Sequence, residues 1–300
     1  MDRINCLEQQ LHTLCPELEL RRAEPMARHT SFHIGGPCSL MAFPASEGQA
    51  ALAISEAIKW GLEPFFLGNG SNLLAADEGV DRFIVKTSSL RSVRREGDRL
   101  IAQSGVTLAR LAVFARDEGL TGLEFAHGIP GTLGGAVTMN AGAYGGEMSQ
   151  VVRRVTVLGQ DGQLQDVTNF DFSYRHSAFS NGSRLIVEVE LELAPGDPKQ
   201  IAARMEELSF QRQSKQPLEY PSAGSMFKRP EGYFAAALID QCGLKGLTVG
   251  GAQVSEKHAG FVVNRGGATC SDVLELVRQV KERVKSSFGV ELEMEVKILG

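Results

Sequence analysis

Two glycine-rich segments hold the residues best suited to chemistry. Gly68-Asn69-Gly70-Ser71-Asn72 follows a short apolar run. Its first two glycines fit a dinucleotide fingerprint, but Leu73 stands where the third is required, and no acid closes the next strand to hold a ribose. No GxxxxGK[ST] segment exists. What remains is a turn whose bare amides, helped by Ser71 and Asn72, suit an anion, or else an ordinary tight turn. The second segment runs from Gly128 to Ala143 and contains Gly131, Gly134, Gly135, Asn140 and Gly142. Each glycine held in regular structure costs roughly 0.5–1 kcal/mol. Such density requires a reason: a long flat ligand with phosphates over the amides, or a close crossing of two strands.

The elements that position these segments follow from period and caps. Ile4, Leu7, Leu11 and Leu14 predict a leading helix. Ser46 and Gln49 open a helix that Gly61 stops, and Thr107 opens another that ends at Gly119. Strands are expected at 39–43, 64–67, 83–86 and 184–193, with hairpins over 91–103 and 151–167. Two prolines and a glycine in Ala194–Pro198 mark a domain boundary, and Asp197 and Pro198 start the next helix. Further helices are expected at 234–242 and 271–288, with short strands near 252–264. A final strand, Val290–Leu299, alternates so that Val290, Leu292, Met294, Val296 and Ile298 point inward. The fold class is α+β, with a domain over 1–195 (subdomains about 20–90 and 91–195) and another over 196–300.

Composition bounds the function. A chain of 300 residues suits roughly two domains and needs no disulfide or metal staple. The net charge of −5 argues against a nucleic-acid partner. Five cysteines, none in a CxxC pair, suit a reducing compartment. The histidines show no metal-ligand spacing. The N-terminus has no apolar signal region, and the longest charge-free run, Phe125–Gly146, carries seven glycines and Pro130, unlike a membrane helix. A cytoplasmic monomer without membrane insertion is expected.

Arg28–Pro37, Leu67–Leu74 and Gly128–Gly146, then Tyr174-Arg175-His176-Ser177, Ala223–Lys228, Leu238–Gly246 and Glu293–Val296, occur in that order. Together they resemble the UDP-N-acetylenolpyruvoylglucosamine reductase (MurB) family over nearly the whole chain. The resemblance implies a non-covalent FAD domain of the vanillyl-alcohol-oxidase type, in two subdomains, and a C-terminal domain for a UDP-sugar. It implies NADPH-dependent reduction of UDP-N-acetyl-3-O-(1-carboxyvinyl)-glucosamine to UDP-N-acetylmuramate for peptidoglycan synthesis.

Carried over residue by residue, it assigns Arg175 and Glu295 to the substrate carboxylate and enolate, and Ser225 to proton delivery. Tyr174, Lys215 and His258 fall at substrate contacts. Thr30, Gly68, Asn69, Gly70, Ser71, Asn72, Gly128, Ile129, Gly131, Thr132, Gly134, Gly135 and Ala143 fall at the cofactor. The residues alone leave alternatives: Arg175 as a surface arginine, Ser225 as a turn residue, Lys215 as a solvated helix-end lysine. Nothing in the spacing selects Glu295 over Glu291 or Glu293. Only 50 positions separate Arg175 from Ser225. That matches the shorter subtype, which lacks a tyrosine-bearing loop over the substrate. The competing functions are another flavin oxidoreductase of this fold, with covalent flavin, and a non-catalytic flavin or UDP-sugar binder.

Overall fold

The computed structural model describes residues 2–300. Two compact units divide the chain: Met1–Arg22, Ser39–Asn69 and Arg82–Phe210 form one, and Ala23–Cys38, Gly70–Asp81 and Gln211–Gly300 form the other.

In the first unit, helix α1 (Arg3–Leu14) begins where Asp2 Oδ1 accepts the Ile4 amide, and it buries Ile4, Leu7 and Leu11. Helix α2 (Glu47–Lys59) starts on Ser46, whose hydroxyl accepts the Gln49 amide at 3.2 Å. The Gln49 side chain returns to the Ala45 amide, one residue earlier than in a strict capping box. Both helices pack on Leu40, Phe83 and Val85. A four-stranded sheet pairs Phe65–Leu67 in parallel with Val80–Lys86, in the register Leu67↔Lys86.

A second, antiparallel sheet has five strands in the order 164–167, 152–158, 185–192, 99–103, 93–96. Its buried face meets helix α3 (Leu108–Asp117) and the short helix α4 (Leu133–Thr138), which lies in the glycine-rich segment. Helix α5 (Pro198–Lys215) starts on Asp197 and buries Ile201 and Met205 in this same core. That burial is why the break at 194–198 falls inside the first unit.

The second unit is built on an antiparallel sheet in the order 222–225, 261–264, 252–254, 248–249. Helices α6 (Ala235–Gln241) and α7 (Cys270–Phe288) cover its apolar face. Thr269 and Asp272 form the α7 capping box, and Asp77 accepts the next two amides, of Cys270 and Ser271. The unit also takes in 23–38 and 70–81, because Phe32, Ile34 and Leu74 are buried in its core.

The C-terminal segment departs from its sequence pattern. Only Lys297–Leu299 is a strand, parallel to Leu73–Ala75, and Met294 makes an isolated bridge to Phe227. Leu292, Val296 and Leu299 are buried, whereas Ile298 is 54% exposed. Strict alternation assumes one continuous ladder; the change of partner between residues 294 and 297 rotates the face that points inward.

Candidate active site

In the first unit, the glycine-rich segment folds as a turn, a helix and a small hairpin. A Cβ at Gly68 would stand 2.3 Å from Thr132 Oγ1, and one at Gly134 would stand 2.8 Å from Ser104 Cβ. These two glycines are therefore required by the protein's own packing. Gly135 is different: it is exposed, with nothing nearer than 3.7 Å to a Cβ there. The Leu133 and Gly134 amides donate to the Val106 and Ser104 carbonyls, which fixes the start of α4. Gly131 accepts the Leu108 amide at the head of α3, and Ile129 packs against the core. Gly128 and Asn69 are exposed, and Ala143 pairs with Gly146 across the hairpin. His127 Nδ1 lies 3.1 Å from Ser209 Oγ on α5, anchoring the residue before Gly128. Burial, helped by the charge of Arg116, holds the His127 ring below the usual histidine range.

The loop carrying Tyr174 and Arg175 is fastened to the far end of α4. Ser177 and Ser180 both donate to the Thr138 carbonyl, and Asn140 donates to the Ser173 carbonyl at 3.2 Å. Asn140 is buried, sits at φ 40° and accepts the Ser149 amide. Ser173 and His176 bridge across a tight turn in which Arg175 takes φ 57°. A left-handed arginine is a strained choice that persists only where surroundings impose it. Its guanidinium stands 5.2 Å from the Tyr174 ring, which is 56% exposed.

In the second unit, Ser225 ends the 222–225 strand beyond a register shift, next to Gly224 at φ 79°. Such an irregularity re-aims a side chain. Ser225 is exposed, and its hydroxyl makes no hydrogen bond among the described residues. The neighbouring Met226 carbonyl accepts the Glu295 amide at 2.9 Å, and the Met226 amide donates to Gly260. Glu295 is clamped on its other side by the Asn72 side chain, which donates to its carbonyl at 3.1 Å.

Burial separates the three glutamates. Glu295 is half-buried, whereas Glu291 and Glu293 are exposed and paired with Lys285 and Lys228. His258 sits edge-on to Phe261, the register partner of Ser225, and its Nδ1 accepts the Gly260 amide. That bond places the ring proton on Nε2, and burial keeps the ring below its usual pKa. Ser225, Glu295 and His258 thus lie on adjoining backbone segments. Lys215 is exposed at the end of α5, where Lys257 donates to the Gln213 carbonyl. Thr30 is buried, with its hydroxyl on the Ile34 carbonyl, and Gly70 packs its α-carbon against the His29 carbonyl. Ser71 is half-buried.

A model of the UDP-N-acetylenolpyruvoylglucosamine reductase C-terminal domain matches residues 216–299, and a model of an FAD binding domain matches residues 38–168. The UDP-N-acetylenolpyruvoylglucosamine reductase of Caldanaerobacter subterraneus subsp. tengcongensis is 47% identical over 296 residues, 98% of each chain. That of Geobacillus thermodenitrificans is 46% identical over 302 residues, covering 100% of this chain and 99% of its own. The chain belongs to the UDP-N-acetylenolpyruvoylglucosamine reductase family. A solved member, the Thermus caldophilus enzyme, superposes with TM-score 0.81 at 34% identity, over 95% of this chain and 99% of that one. The reductase is an FAD-containing oxidoreductase of the expected α+β class.

The residues present fit the cofactor. Thr132 Oγ1 and Ser104 Oγ are buried without a hydrogen-bond partner among the described residues, an uncommon condition that an acceptor-rich ligand relieves. The adjoining backbone at Gly135 is bare and open. Reading the sequence missed Ser104, Asn140 and Lys86. Ser104 and Asn140 lie beside or within the glycine-rich stretch, but only their burial distinguishes them. Lys86 closes a strand and looks like any edge lysine until its burial is known.

Proposed function

We propose that Ser225, Arg175 and Glu295 carry the chemistry of this reductase, with Tyr174, Lys215 and His258 contacting the UDP-sugar. The FAD is assigned to Gly68, Asn69, Gly70, Ser71, Asn72, Gly128, Ile129, Gly131, Thr132, Gly134, Gly135 and Ala143, with Thr30 supporting the loop at Gly70. The overall reaction reduces the enolpyruvyl ether of UDP-N-acetyl-3-O-(1-carboxyvinyl)-glucosamine to the lactyl ether of UDP-N-acetylmuramate. FAD, when bound, supplies a hydride acceptor for NADPH and a hydride donor for the methylene carbon of the enol ether.

Hydride addition leaves negative charge at the neighbouring carbon, delocalised into the carboxylate. Arg175 suits that carboxylate because its planar donors match two oxygens at once. Glu295 is assigned to the enolate oxygen, where a hydrogen-bonding group stabilises the developing charge. Ser225 then gives its hydroxyl proton to the carbon and is reprotonated from water, completing the lactyl group. The observation that carries this assignment is the Ser225 hydroxyl, exposed at a bulged strand end and without a hydrogen bond among the described residues, one residue from the Met226–Glu295 backbone bond. The proposal places the enzyme in the cytoplasm as a monomer.

The test is spectroscopic. Purified protein should show a flavin spectrum, release free FAD on acid precipitation, bleach with NADPH, and recover colour under anaerobic conditions when the enolpyruvyl UDP-sugar is added. Bleaching without recovery would reject the substrate.

A further inference from the structure

Lys86 closes the Val80–Lys86 strand and is 7% exposed. Among the described residues it has no carboxylate partner, and the one acceptor its ammonium finds is the Gly68 carbonyl. The next residue, Thr87, donates its hydroxyl to the Leu67 carbonyl at 3.3 Å, so consecutive side chains hold consecutive carbonyls of the strand-to-loop turn. The parallel register Leu67↔Lys86 sets them side by side. An ammonium carries three donors, and one carbonyl leaves two unsatisfied. Burying such a cation without a counter-charge is unfavourable, and burial alone pushes Lys86 down to about 8.

The other flank of the same glycine has the complementary problem. Thr132 Oγ1 faces the Gly68 α-carbon, is buried, and has no hydrogen-bond partner among the described residues. Ile84 and Val85, which precede Lys86, are fully buried, so an apolar side chain at position 86 would suit the packing better than a lysine. One acceptor-rich anion at Gly68 would answer both the cation and the hydroxyl.

We infer that Lys86 is a diphosphate-binding cation of the flavin site, spending its remaining donors on the FAD diphosphate beside Gly68. The inference rests on the flavin reading of the first unit. Lys86 then contributes to cofactor retention and not to the proton step.

The test is titration of apoprotein with FAD and with riboflavin, which lacks the diphosphate, followed by quenching of flavin fluorescence. Lys86→Met should raise the FAD Kd at least tenfold, leave the riboflavin Kd unchanged, and flatten the salt dependence of FAD binding. Lys86→Arg should stay within severalfold of the parent. Lys86→Gln separates the two roles, because it can still donate to the Gly68 carbonyl but carries no charge. Gln behaving like Met supports the inference. Gln restoring full FAD affinity, or Met weakening FAD and riboflavin equally, overturns it in favour of a purely structural lysine. Parent protein that quenches neither flavin overturns the flavin reading and this inference with it, whereas an FAD affinity unchanged in Lys86→Met overturns the inference alone.

Discussion

The glycine-rich stretch of the first unit and the paired segments 222–228 and 292–297 of the second are both short, small-residue regions, yet they hold function in opposite ways. In the first, side chains are nearly absent. Gly68 and Gly134 let backbone approach Thr132 and Ser104, and the polar atoms left unpartnered there are buried. In the second, the backbone is held by hydrogen bonds, with Met226 and Asn72 gripping Glu295 from both sides, while the Ser225 hydroxyl stays exposed and makes no hydrogen bond among the described residues. A region that works through bare backbone tolerates no added atoms. A region that works through a few side chains on a clamped backbone tolerates isosteric change and fails chemically.

Gly134→Val breaks the first region and should have the largest effect. Its Cβ meets Ser104 Cβ at 2.8 Å, against a neighbour whose amide is fixed on the Val187 carbonyl. Overpacking typically costs about 1–3 kcal/mol. The expected product is a folded but colourless protein, seen as a lost flavin absorbance with a modestly lowered melting temperature; full flavin content would remove the stretch from the cofactor site.

Ser225→Ala sharpens the second region, since it should spare the flavin entirely. NADPH should bleach the cofactor at near the parent rate. Reoxidation by the enolpyruvyl substrate should slow by roughly 10²–10⁴-fold, the range for losing a positioned general acid. Stopped-flow on each half-reaction decides; equal losses in both would return Ser225 to a turn residue.

Glu295→Ala should lower the rate of the second half-reaction by about 10²-fold, the scale of one lost oxyanion donor. Glu293→Ala, which removes only an exposed pairing with Lys228, should change it less than about twofold, because surface ion pairs contribute about 0–1 kcal/mol. Steady-state kinetics on the pair of variants checks whether burial, and not spacing, picks the glutamate.

Asn140→Gly is the mildest change and links the glycine-rich stretch to Arg175. Glycine accepts the φ of 40°, but the bonds to the Ser173 carbonyl and from the Ser149 amide are lost. With about 1–3 kcal/mol at stake for a buried amide left unpaired, KM for the UDP-sugar should rise severalfold while flavin content holds. An unchanged KM would mean that the Arg175 turn holds its shape without Asn140.

Much of the frame was legible from local signals. Ser46, Thr107 and Asp197 cap the helices expected of them, and Gly61 and Gly119 take the left-handed backbone that ends a helix. Such signals work because capping involves atoms only a few residues apart. The C-terminal segment was misread for the opposite reason: its partners, Phe227 and Leu73–Ala75, lie far away in sequence, and they decide which side chains face inward.

The sequence by itself determined every helix but α4, most strands, the two glycine-rich segments and, through motifs in a fixed order, the family. Each of these depends on neighbours in the chain or on residue types alone. Only the tertiary structure decided which glutamate of three is half-buried, why Gly134 must be bare while Gly135 is left open, that Asn140 carries the Arg175 turn, and that Lys86 is buried against Gly68. Those are statements about distance and solvent exclusion, set by residues 18 to more than 200 positions apart, and no local pattern records them.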